Sequence, residues 1–351
     1  MECSLHQISP YIGKLKSGIA AYLVEAYSRS GDLVVDPFAG SGTVALEAAL
    51  RGRGVFASDV SPYAKVLSLA KLRPPPSVGE ALAQAEETLT ICRRRVKGRV
   101  TLAPPWVRKF FHPRTLDEAI RFAETCRESS NNFLLACFLG ILHHERPGFL
   151  SYPSSHLVPY LRTRKYPRTK FPRMYRYREL RPRILAKVQR VYRRFLSPGQ
   201  ADCNRFVQEA IETISLPPAF DALITSPPYM NALDYGRDNR LRLWFIDPRM
   251  GSAVDGTVAR RRAAFISAVS ALADKADAGL RSRGYCVIVV GEVIARGSQT
   301  HPSRLVLDVF AQRARSLKLK GALRDDIPDI RRARRECRGV KRELFLIFQK
   351  I

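Results

Sequence analysis

Two stretches of the 351-residue chain carry side chains whose types and spacing suit chemistry on a polar ring. The first is Asp221-Ala222-Leu223-Ile224-Thr225-Ser226-Pro227-Pro228-Tyr229. Leu223 and Ile224 lie in an apolar run that reads as a buried strand, and the prolines stop it, because Pro228 has no N–H to give to a ladder. At the strand's end stand the Ser226 hydroxyl, the Pro227 carbonyl, held in extended geometry by Pro228, and the Tyr229 ring. Two neighbouring acceptors match the two hydrogens of an exocyclic amine. Such an amine is a poor nucleophile, since its lone pair is delocalised into the ring. Acceptors on both hydrogens draw the nitrogen towards tetrahedral geometry and free that pair, so positioning and fixed dipoles supply most of the catalysis. Tyr229 offers a face for a base to stack on. The plainer reading is a proline strand terminator followed by a core tyrosine.

The second stretch is Leu33-Val34-Val35-Asp36-Pro37-Phe38-Ala39-Gly40-Ser41-Gly42-Thr43. A short apolar strand enters a glycine turn, and a helical pattern follows over residues 44–50. Gly40 and Gly42 permit the tight turn and a close approach of backbone to ligand. A further strand, Gly54 to Ala57, leads to Asp59, a carboxylate placed to accept from ribose hydroxyls. The absence of a third glycine and the Asp-Pro-Phe start argue against a dinucleotide-binding fold.

Together, Asp-Pro-Phe-Ala-Gly-Ser-Gly-Thr and Thr-Ser-Pro-Pro-Tyr resemble the S-adenosylmethionine-dependent amino-methyltransferases of DNA, over roughly residues 5–72 and 199–350. The Ser-Pro-Pro-Tyr form is similar to that of enzymes acting on cytosine N4; the adenine-N6 enzymes more often carry Asp-Pro-Pro-Tyr. The resemblance implies an α/β, Rossmann-like class I methyltransferase with a seven-stranded, mostly parallel sheet completed by an antiparallel strand. It implies S-adenosylmethionine as cofactor, held by Asp36, Pro37, Phe38, Gly40, Gly42, Thr43, Asp59 and Val60. Tyr11 and Lys14, in a loop ahead of the first helix, are placed beside the cofactor's methionine end. Asp202 is the acidic candidate for its adenine amino group. Ser226, Pro227, Pro228 and Tyr229 become the catalytic motif. Asp234 and Arg237 follow in a loop expected to close over a target base flipped out of the duplex. Carbon-5 methylation needs a Pro-Cys nucleophile, and that dipeptide does not occur.

Composition bounds the partners. Lys plus Arg outnumber Asp plus Glu by 59 to 32, a net charge of +27 that predicts a polyanionic ligand. Residues 161–195 hold fourteen Lys or Arg against the single acid Glu179, with Tyr166, Phe171, Tyr175, Tyr177 and Tyr192 interleaved. Cations for phosphates and rings for unstacked bases are what nucleic-acid grooves use, and Arg173, Arg176, Arg178 and Arg181 are the named candidates. The competing reading is a solvated basic face. Seven scattered cysteines without a Cys-x-x-Cys pair read as free thiols. His143-His144-Glu145 lacks the spacing that puts two imidazoles on one helical face, so no metal site is expected. With neither a long apolar stretch nor a signal peptide in view, a cytoplasmic protein without a membrane partner is expected.

The chain is expected to divide into a cofactor half (1–72), a helical and basic insertion for target recognition (73–197), and a target-base half (198–351). Helices are expected over 78–97, 115–128 with Thr115 as N-cap, and 132–143, and a third strand at 200–203. The helix before the first strand is expected to close at Gly31. The expected activity is cytosine-N4 methylation of DNA, duplex with a flipped base or single-stranded. An adenine-N6 enzyme, an RNA amino-methyltransferase and a non-catalytic DNA-binding subunit are the alternatives. A cognate restriction endonuclease is a further candidate partner; recognition sequence and oligomeric state are not legible.

Overall fold

The computed structural model describes residues 2–199, 204–228, 235–250, 258–293, 301–326 and 340–351. Strands are β1 (Leu33–Asp36), β2 (Gly54–Ser58), β3 (Arg205–Val207), β4 (Phe220–Thr225), β5 (Leu280–Val293), β6 (Leu317–Asp326) and β7 (Val340–Lys350). Helices are α1 (Ser17–Tyr27), α2 (Thr43–Leu50), α3 (Pro62–Leu72), α4 (Val78–Arg94), α5 (Pro105–Arg108), α6 (Pro113–Glu128), α7 (Asn132–Gly140), α8 (Leu180–Val191), α9 (Tyr235–Ile246), α10 (Val258–Gly279) and α11 (Pro302–Arg313). The chain forms two compact units: Met1–Tyr11, Leu69–Ser197 and Tyr235–Val254 make one, and Ile12–Ser68, Pro198–Asp234 and Asp255–Ile351 the other.

The second unit holds a seven-stranded sheet of order β3-β2-β1-β4-β5-β7-β6. Neighbours from β3 to β5 are parallel, and β7 runs antiparallel to both β5 and β6. This is the seven-stranded, mostly parallel sheet completed by an antiparallel strand that the resemblance implies. Central strands are apolar almost throughout because both faces are covered: Val34, Val35, Val55, Leu223, Ile224 and Ile288 are essentially inaccessible. One layer of core joins Leu223, Cys286 and Ile288 to Val269 and Leu272 of α10 and Phe310 of α11, where Phe310 stacks on Phe348 of β7 at 4.7 Å. Burial of each such large side chain contributes about 1.5–3 kcal/mol.

Among the described residues the third strand is Arg205–Val207; residues 200–203, where a strand was expected, lie outside them. The expected close of the first helix at Gly31 is corrected. The helix before β1 ends at Tyr27 under Ser28, whereas Gly31 (φ 89°) makes the turn into β1. The strand β6 has no clear periodicity to announce it: Leu317 is buried while Lys318, Leu319 and Lys320 are exposed, a charged edge that discourages pairing with another chain.

The first unit is helical, with α6 packed against α4, α7, α8 and α9. Its core is aromatic, Phe138 meeting Phe245 at 5.1 Å and Phe122 at 5.8 Å. Caps are supplied by Ser77, accepting from the Glu80 N–H, and Asn131, accepting from the Leu134 N–H. Thr115 does not cap α6; His112 does. Thr115 is buried and its hydroxyl instead exchanges hydrogen bonds with the Arg178 backbone. Residues from Tyr235 onward form α9 rather than a loop. No helix among the described residues is long and apolar enough to cross a membrane.

Candidate active site and basic segment

In open α/β sheets ligands bind beyond the carboxyl ends of the strands, and three such ends meet in the sheet unit. Asp36 ends β1 and is followed by the glycine turn. Gly40 (φ 50°) and Gly42 (φ 67°) both occupy the left-handed region, where a side chain would strain the backbone. Gly42 is also constrained by space, because a Cβ there would sit 2.7 Å from Ser68 Oγ. The Gly42 N–H closes the turn onto the Ala39 carbonyl at 2.7 Å, and α2 starts at Thr43.

Asp59 follows β2. Its carboxylate accepts from the Gly40 N–H at 2.9 Å and from the Ser61 N–H at 2.8 Å. The half-buried group is thereby oriented by the backbone of the turns around it. Burial raises its pKa and the backbone N–H groups oppose that rise. The exposed Val60 beside it accepts from the Gln208 amide at 3.4 Å.

At the end of β4, Ser226 is half-buried, Pro227 buried and Pro228 exposed. Tyr229 lies outside the described residues, as do Asp234 and Asp202. The strand β3 begins after Asp202, and its carboxyl end, beside Ser58, leads into Gln208 and Glu209. Sequence reasoning missed Gln208 because the three-residue strand before it was not read. It also passed over Thr225, whose side chain is fully buried. Thr225 Oγ1 donates to Asp36 Oδ1 at 2.6 Å and accepts from the Phe38 N–H at 3.2 Å. Asp36 itself is 3 % exposed. Burial pushes its carboxyl up to about 7 against the pull of the Thr225 and Phe38 hydrogen bonds, and the Asp59 charge raises it slightly further. A hydroxyl at the end of an otherwise apolar buried strand was the available signal.

Tyr11 and Lys14 fall in different compact units. Tyr11 is half-buried in the helical unit and Lys14 is exposed in the sheet unit. Arg237 is an exposed residue of α9, again in the helical unit.

In the basic segment the named arginines divide. Arg173 and Arg176 are exposed. Arg181 pairs with Glu86, its Nε donating at 3.1 Å. Arg178 departs from the expected phosphate-binding role: it is buried and donates to the carbonyls of Phe149 (2.8 Å), Ser151 (2.5 Å) and Met174 (3.0 Å). Burial lowers its pKa to about 10, so it stays charged, but its donors fasten the loop. Most of the interleaved rings are also occupied, for Tyr175 donates to the Tyr166 carbonyl, Tyr177 to Glu118 and Tyr192 to the Pro75 carbonyl. Phe171 is the exposed ring among them, at 39 %.

His143 is buried with Nδ1 2.7 Å from the Ser155 carbonyl, and burial holds its pKa well below the usual imidazole value. Among the described residues no group of three or more His, Cys, Asp or Glu is arranged to hold a metal ion. The described cysteines 3, 92, 126, 137 and 286 are free and buried.

Residues 17–68, from α1 through the glycine turn to Asp59 and the first turns of α3, match a family model described as DNA methylase, of the N6/N4 methyltransferase type. The Type II methyltransferase M.MjaII of Methanocaldococcus jannaschii is 32 % identical over 69 residues, a match spanning 20 % of this chain and 13 % of that protein. Both matches are likenesses over part of the chain, and the chain spans only a small share of that relative's length. Among solved structures, TrmN from Thermus thermophilus overlaps 99 % of this chain and 52 % of its own, with a TM-score of 0.40 and 12 % identity. The rRNA methyltransferase aviRa from Streptomyces viridochromogenes overlaps 99 % of this chain and 93 % of its own at a TM-score of 0.35 and 10 % identity. Likenesses at that level do not bear on substrate.

Proposed function

We propose that the chain is an S-adenosylmethionine-dependent methyltransferase acting on the exocyclic N4 amine of cytosine in DNA. The observation that carries this reading is the junction of two motifs. The glycine turn after β1 and the Ser226-Pro227 acceptors after β4 extend from adjacent parallel strands. The side chains of Asp36 and Thr225 join them. The family match over residues 17–68 supports DNA as the substrate class.

The residues fit such a cofactor. The glycine turn lets backbone come close, and Asp59 presents an oriented carboxylate suited to ribose hydroxyls. Asp36 supplies a buried carboxyl, raised to about 7, whose charged form a cationic ligand would favour. Gln208 and Glu209 follow β3 at its carboxyl end, which makes them better placed than Asp202 to meet the cofactor's base. The bound cofactor would supply an electrophilic methyl group on a sulfonium. The chain's part is to orient the nucleophile: Ser226 Oγ and the Pro227 carbonyl accept from the amine hydrogens, free the nitrogen lone pair and favour the charge that develops there. Tyr229 is proposed to stack on the flipped base. Arg173 and Arg176 are the candidates for binding phosphates.

The test is incubation of the full chain with labelled S-adenosylmethionine and duplex DNA, single-stranded DNA or RNA, followed by nucleoside digestion and mass spectrometry. N4-methylcytosine from DNA is expected. N6-methyladenine would correct the base and keep the mechanism; label in RNA alone would overturn the DNA assignment. No transfer to any acceptor, with cofactor bound, would favour a non-catalytic subunit.

A further inference from the structure

Resting on that reading, we infer that Thr225 is a positioning residue for the methyl transfer, its hydroxyl fixing the end of β4 to the end of β1 and thereby setting the amine's acceptors relative to the cofactor turn. The described pairing of these strands runs Val34–Ala222 and Val35–Leu223. Beyond it β4 meets Pro227 and Pro228, which have no N–H with which to extend a ladder. The Thr225 hydroxyl takes over at that point. It donates at 2.6 Å to Asp36 and accepts at 3.2 Å from the Phe38 N–H, the first amide after Pro37. At the opposite end of the same strand pair, Asp221 accepts from the Leu33 N–H at 2.8 Å. The two strands are therefore tied by side chains at both ends, and the tie at Thr225 is adjacent to Ser226.

Volume alone does not require threonine here. Thr225 is wholly buried, and valine has nearly the same shape and an equal preference for strands. The hydroxyl is what valine lacks, and without it Asp36 and the Phe38 N–H lose a shared partner inside the protein. The bridge also acts on ionisation: the Thr225 hydrogen bond favours the charged carboxylate, against burial and the neighbouring Asp59 charge. Asp59 is held in turn by the amides of Gly40 and Ser61.

The experiment compares Thr225→Val and Thr225→Ser with the wild-type full chain, reading kcat, KM for the nucleic acid and the pH dependence of S-adenosylmethionine binding. Thr225→Val is expected to lower kcat by roughly 10–100-fold with KM within about twofold, the pattern of misplacement rather than weakened binding. The acid limb of its cofactor-binding profile should move to higher pH, because the carboxylate no longer has a donor that favoured its charged form. Thr225→Ser should restore both. If Thr225→Val does not fold, Thr225→Cys, of similar size with a weak thiol donor, is expected to show the same split. A folded Thr225→Val enzyme with wild-type kcat and pH profile would overturn the inference alone, as would Thr225→Ser impaired as badly as valine. A wild-type chain that neither binds S-adenosylmethionine nor methylates nucleic acid would overturn the functional reading and this inference with it.

Discussion

The ends of the sheet strands and the basic segment at 161–195 both place polar side chains densely, but they use them in opposite ways. At the strand ends, short side chains bond amides close by: Asp59 takes those of Gly40 and Ser61, and Asp36 takes that of Phe38. The carboxylates are oriented by bonds to the turns that carry them. In the basic segment, long side chains reach across the helical unit and use their donors on it. Arg178 fastens three carbonyls, Arg162 pairs with Glu145 at 2.7 Å and Arg183 holds the Pro147 carbonyl at 3.2 Å. A count of charges therefore overstates the charge offered to a ligand. Part of the +27 is internal structure rather than a phosphate-binding surface.

The sharpest test of this contrast is Ser226→Ala. The substitution removes one acceptor from a turn, so folding and cofactor affinity should hold while turnover falls by about 10²–10³, the usual loss with one preorganised polar partner. Single-turnover transfer of label measures it, and a fully active variant would remove Ser226 from the chemistry. Next in size is Arg178→Met, which tests the structural side. It should cost roughly 3 kcal/mol of stability, given that hydrogen bonds from a charged group are worth about 1.5–3 kcal/mol each and do not simply add. A shifted denaturation midpoint is the readout; an unchanged midpoint with weakened nucleic-acid binding would return Arg178 to the ligand surface.

Asp59→Ala should follow, weakening S-adenosylmethionine binding by about 1.5–3 kcal/mol in calorimetry. Unaltered affinity in a folded variant would exclude the carboxylate from the site. The smallest effect on the fold is expected from Arg173→Ala with Arg176→Ala. Exposed side chains of this kind alter stability by no more than about 0.5 kcal/mol. Binding to every nucleic-acid sequence should weaken all the same, and the salt dependence of log K should flatten by up to about 0.9 for each phosphate no longer neutralised. If the slope stays put, the pair belongs to a solvated face and the two regions differ still more sharply.

Much of the sheet unit was legible in the sequence because the determinants of its strands and turns are local. Apolar runs bounded by glycine or proline located β1, β2 and β4, and the paired glycines identified a tight turn that the structure places in the left-handed region at Gly40 and Gly42. The edge strand β6 escaped because it buries little and so leaves no apolar period to read. The strand Arg205–Val207 was not read because it is only three residues long. At the candidate site, Asp59 and Ser226 were legible from their neighbours in the chain, whereas the partner of Thr225 lies 189 residues away.

The sequence by itself determined the extent of β1, β2 and β4, the glycine turn between β1 and α2, and the standing of Asp59 and Ser226 after their strands, since hydrophobic periodicity, a missing N–H and a missing Cβ act over a few residues. Only the tertiary structure decided that β1 lies beside β4, that Thr225 reaches Asp36, and that Arg178 faces three carbonyls rather than solvent. Those outcomes depend on strand order and on packing between distant segments. A hydrogen bond forms with whatever partner packing brings within about 3 Å, and residue type alone does not say which partner that will be.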